Sequence, residues 1–80
     1  MIDNDKTDAL IMEAAGEHFT KIAVIISKVY DAFEAQGQEL TKTLAGEIAE
    51  RLYILVDNGA LQAQGNIRRW RDADVKRPSS

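Results

Sequence analysis

The chain has no cysteine, one histidine and one proline, and its aromatic side chains are two Phe, two Tyr and one Trp. Without cysteine there is no disulfide and no thiolate metal site. The one histidine, His18, has Glu13 and Glu17 beside it, which make no recognisable catalytic or metal-binding set. Asp3, Asp5 and Asp8 lack the loop glycine and the distal glutamate of a calcium loop. Gly59 and Gly65 do not build a G-x-G-x-x-G or Walker loop, and no serine sits in a nucleophile motif. The expectation is a non-enzyme with no cofactor and no metal. The longest nearly unbroken apolar run, Ile22 to Ile26, falls far short of the roughly 20 residues that span a bilayer. The N-terminus, MIDNDKTD, is acidic where a secretory signal is basic. The expected location is therefore cytoplasmic, with no membrane contact.

What is present is the composition of an ordinary globular protein, 45% hydrophobic and 29% charged. Its 80 residues read as a single domain over 1–80, with residues 1–3 and 78–80 as loose ends. A chain of this size buries only about 60–65% of the surface its unfolded form exposes, so its core is thin. With no staple available, a homodimer or a second protein is the expected partner. The formal charge of −3 is unevenly spread. Residues 1–37 hold three lysines against seven acids (−4), and residues 38–58 hold Lys42 and Arg51 against four acids (−2). Residues 59–80 hold five bases against Asp72 and Asp74 (+3), so positive charge collects in the last quarter.

Three helices follow from periodicity. The first runs from Asp5 to Ala15, capped by Asn4 or Asp3, with Leu10, Ile11, Ala14 and Ala15 as its buried stripe and Gly16 as its stop. The second, about His18 to Ala35, places Phe19, Ile22, Ile25, Ile26, Val29, Tyr30 and Phe33 at spacings of three and four. That stripe is core, or in part a face for dimerisation; Gly37 ends the helix. The third, about Glu39 to Asp57, buries Leu40, Leu44, Ile48, Leu52, Leu55 and Val56. Gly46 within it marks either close packing or a kink. Asn58-Gly59 stops it, with Leu61 closing the cap. Ala60 to Gln64 alternates like a half-exposed strand. Asn66 then caps one helical turn that tucks Ile67 and Trp70 inward. A return strand, Asp74 to Arg77, faces Val75 inward, and Pro78 stops it. The fold class is mainly α: three helices followed by a short two-stranded β-hairpin.

The positions Leu52, Leu55, Val56, Gly59, Leu61 and Gly65 are similar to the end of many winged-helix domains. More closely, Glu39 to Arg77 resembles the C-terminal region of a bacterial family of domains of unknown function. The matching residues are Leu55-Val56-Asp57, Gly59, Leu61, Gly65-Asn66-Ile67, Arg68-Arg69 and Asp74-Val75-Lys76. The resemblance implies a winged-helix-like fold and no particular activity.

Arg68, Arg69 and Arg71 around Trp70 are the sharpest candidate contact. Arginine pairs bidentately with phosphates and tryptophan stacks or anchors, so this corner could touch a DNA backbone or groove. Alternatively Ile67 and Trp70 fill the bottom of the core, and the arginines are solvated or pair with Glu47, Glu50 or Asp57. Lys42 and Thr43, at the start of a recognition helix, are the other candidate contacts. Against a nucleic-acid partner stand Glu47 and Glu50 on that helix and a sequence pI near 5.0. The leading expectation is a non-catalytic protein-interaction or assembly module. The alternative is a winged-helix DNA-binding transcriptional regulator.

Overall fold

The computed structural model describes residues 3–78. The elements run α1 (Asn4–Ala15), β1 (Thr20–Lys21), α2 (Ile22–Ala35), α3 (Leu44–Asp57), β2 (Gln62–Gln64) and β3 (Asp74–Lys76). The protein is mainly α with a small antiparallel sheet of three strands, ordered β1-β3-β2. Of the expected loose ends, Met1, Ile2, Ser79 and Ser80 lie outside the described residues. Asp3 is no loose end. Its extended backbone enters α1 and its carboxylate accepts the Lys6 amide at 3.2 Å, while its carbonyl accepts the hydroxyl of buried Thr7 at 2.7 Å.

α1 buries Thr7, Ile11 and Ala15, one residue per turn, with Leu10 and Ala14 half-buried beside them. The expected second helix starts later. Thr20 and Lys21 form a two-residue strand opposite Val75 and Asp74. Lys21 and Asp74 form an ion pair across the two strands at 3.5 Å. Phe19 consequently leaves the core stripe; it is 44% exposed, with the Lys76 ammonium 5.0 Å from its ring centre. From Ile22 on, the stripe packs as the spacing predicts: Ile22, Ile25, Ile26, Val29 and Phe33 are all buried, and Tyr30 is half-buried. Lys21 gives α2 no side-chain cap. Its first amides find carbonyls from the far end of the chain instead, Ile22 donating to Ala73 and Ala23 to Trp70, each at 3.0 Å.

α2 closes with the Gly37 amide on the Glu34 carbonyl and the Gln38 amide on that of Phe33. The third helix begins at Leu44, five residues later than expected. Thr41 and Thr43 bond hydroxyl to hydroxyl at 3.3 Å, and the Leu44 amide closes a turn on Thr41. Threonine hydroxyls compete with helical backbone bonding, which suits this stretch to a turn. Leu40 is therefore a loop residue, 39% exposed, and no part of the helix stripe. Leu44, Ile48, Ala49, Leu52 and Leu55 are buried. Gly46 neither packs closely nor interrupts α3: a Cβ built on it meets nothing within 4 Å. Gly59 turns the chain at φ +85, the Asn58 side chain accepts the Ala60 amide at 3.0 Å, and Leu61 donates back to Leu55.

The sheet is the main departure from expectation. β2 and β3 pair as the hairpin predicts, with Ala63 opposite Val75, but β3 also pairs with β1 and is the central strand. Val75 is fully buried as part of the core cluster. The Arg77 amide extends the closure by donating to the Gly16 carbonyl at 2.9 Å.

Candidate functional site

Between β2 and β3 the chain makes two successive turns. Asn66 holds the first: its side chain accepts the Arg68 amide at 3.0 Å and its carbonyl accepts that of Arg69 at 2.9 Å. The Arg69 carbonyl holds the second, accepting the amides of Asp72 and Ala73. The expected cap at Asn66 is present, but the segment is a pair of turns and not a helical turn. Gly65 makes the entry at φ +86, with a built Cβ 3.2 Å from the Asp72 carbonyl oxygen. A side chain there would crowd the backbone that shapes the corner.

This local path sends Ile67 and Trp70 against the core, both half-buried, and leaves Arg68, Arg69 and Arg71 exposed. Trp70 Nε1 donates to Tyr53 Oη at 2.6 Å, and the Arg68 guanidinium lies 5.1 Å from the centre of the same tyrosine ring. Arg69 reaches Asp72 at 3.9 Å across mostly exposed side chains, an ion pair worth at most about 1 kcal/mol. The expected partners Glu47, Glu50 and Asp57 take none of the three arginines. Among the described residues, Arg68 and Arg71 have no carboxylate within 4.0 Å. Beside them an open depression of roughly 480 Å³ is lined by Ala23, Arg68, Arg69, Trp70, Arg71 and Asp72.

Lys42 and Thr43 are not part of this corner. Thr43 is the residue before α3, without a side-chain cap, and both are exposed. Ten residues at about 1.5 Å of rise separate Thr43 from Tyr53, roughly 15 Å along the helix axis. The helix between them carries a single base, Arg51, and Arg51 is engaged. Its Nε and Nη2 donate to the two carboxylate oxygens of Asp8 at 2.9 and 2.8 Å, each side chain being 23% exposed. The hydrogen bond to Asp8, and then the carboxylate's charge, raise the guanidinium pKa above its ordinary value despite some opposing desolvation.

Tyr53 is the residue of the site that the sequence reading passes over. It lies on the flank of the α3 stripe at helical spacing from Ala49 and Val56, and that spacing is its only signal. His18 is exposed, and its carbonyl accepts the Thr20 hydroxyl. Among the described residues no group of three or more His, Asp or Glu side chains could hold a metal ion, and no helix is long and apolar enough to cross a membrane. No family model, curated protein or solved structure matches this chain.

Proposed function

We propose that the chain is a non-catalytic protein-interaction module of winged-helix-like architecture, working in the cytoplasm. The architectural part draws on the order helix–strand–helix–helix–strand–strand with the first strand against the third, together with the Leu52-to-Gly65 pattern. The interaction part rests on one observation above all: Arg51, the only base of α3, is held by Asp8. What α3 turns outward is then Glu50, Ile54 and Asp57, with Ile54 43% exposed. Such a face repels phosphate and suits a protein surface. Further apolar area comes from Phe19, Val24 and Leu40, all exposed.

A second reading, a winged-helix transcriptional regulator, draws on the three exposed arginines between β2 and β3 and on Lys42 and Thr43 ahead of α3. It needs contacts from opposite ends of α3, with Glu47 and Glu50 on the helix between them. Titration with mixed-sequence duplex DNA at about 50 mM salt separates the readings. The module reading expects no measurable binding. Affinity that falls steeply with added salt overturns it in favour of the regulator.

A further inference from the structure

Tyr53 places opposite charges side by side. On one flank it carries the corner, through its contacts with Trp70 and Arg68. On the other, its neighbours on α3 are Glu50, Ile54 and Asp57, which share one stripe at spacings of four and three. All three are exposed, as are Arg68 and Arg71. Neither Glu50 nor Asp57 has a cation within 4.0 Å among the described residues, and neither arginine there has an acid. A basic patch and an acidic patch with an apolar residue in its middle thus adjoin on one surface, each without a partner. A surface of that kind is complementary to itself after a half-turn. That is the requirement for an isologous two-fold contact, in which the same patch serves both subunits.

We propose that the module's partner is a second copy of this chain. The Arg68/Arg71 corner of each copy lies on the Glu50–Ile54–Asp57 stripe of the other, so the axis passes near Tyr53, between the two patches. The proposal rests on the protein-interaction reading above and names the occupant of its surface. Arg68 is suited to the role because stacking over Tyr53 orders its guanidinium, so less side-chain freedom is lost when its donors meet a carboxylate. Trp70, anchored by Tyr53, holds the corner in register with α3.

Sedimentation or light scattering across a dilution series tests this with the intact chain. The expected mass is twice the 8.9 kDa of one copy at high concentration, falling to 8.9 kDa on dilution. Dissociation should come at higher protein concentration when salt is raised from about 50 to about 500 mM. Two charge-reversed variants, Arg68→Glu/Arg71→Glu and Glu50→Arg/Asp57→Arg, should each stay at the single-copy mass while keeping the helical circular dichroism of the parent. Mixed in equal amounts, they form a pair with one contact of native sign and one with the signs exchanged, so the two-copy mass should return. A parent chain of single-copy mass at every concentration overturns the dimer and leaves the module reading standing. So do variants that both remain dimeric, which would put any dimer on another face. Salt-sensitive duplex binding overturns the reading on which the dimer rests.

Discussion

Trp70 Nε1 and Tyr53 Oη, 17 residues apart, meet at 2.6 Å and tie the turn between β2 and β3 to the second half of α3. Tyr53→Phe removes the acceptor and leaves a half-buried indole N–H without its partner. The expected loss is about 1 kcal/mol in the midpoint-derived stability by denaturant titration. Because Trp70 is the only tryptophan, its emission reads the corner directly and should shift to the red in the variant. Unchanged emission together with unchanged stability would show that the bond contributes nothing.

Arg51 and Asp8 form another long tie, between α3 and α1. Asp8→Asn and Arg51→Met should each lower the thermal midpoint, and the double variant should lower it by less than the two separate losses combined, as groups in direct contact do. Additive losses would count against the pair. The raised guanidinium pKa adds stability that is present below the ordinary arginine value and is lost only as pH climbs through the folded value. That window lies in strong alkali, so Arg51's own titration contributes no pH dependence near neutrality.

Two glycines should respond in opposite directions to alanine. Gly65 sits at φ +86 with the Asp72 carbonyl 3.2 Å from a built Cβ, so Gly65→Ala is strained on both counts and should cost about 1–3 kcal/mol. Gly46 lies inside α3 with open space around it, and Gly46→Ala should stabilise by about 0.5–1 kcal/mol. Equilibrium unfolding of both variants checks the pair; a destabilised Gly46→Ala would mean that α3 makes a contact there.

Phe19 and Ile22 belong to the same periodic stripe and to different environments. Ile22→Ala, in a fully buried site, should cost about 2–5 kcal/mol. Phe19→Ser should cost about 1 kcal/mol or less, the size of a partly solvated contact with Lys76. Comparable losses would return Phe19 to the core.

The three helices were legible because Ile11, Ile22 to Phe33 and Leu44 to Leu55 repeat at three and four, and burial follows that period. The return strand with Val75 inward, the stop at Asn58-Gly59 and the cap at Asn66 were legible for local reasons, since each acts within a few residues of itself. β1 was not. Two residues are too few to show an alternation, and Phe19 continued the helical spacing across them. The start of α3 was misplaced because Leu40 extends the stripe of four, while the hydroxyls that turn the chain at Thr41 and Thr43 leave no period. In the candidate site, the exposure of Arg68, Arg69 and Arg71 could be anticipated from charge alone. The pairing of Arg51 with Asp8 could not: the two are 43 residues apart, and neither differs in type from the solvated charges around it.

The carbonyls of Trp70 and Ala73 that accept the first amides of α2 have a consequence for how the chain acquires its shape. The helix richest in apolar residues draws the partners of its first two amides from a segment some fifty positions downstream, where a solitary helix would leave them to water. The entropic cost of closing so long a loop grows only slowly with its length, but non-local contacts of this kind slow folding. A chain cut before Trp70 would lose both acceptors and leave those two amides to solvent.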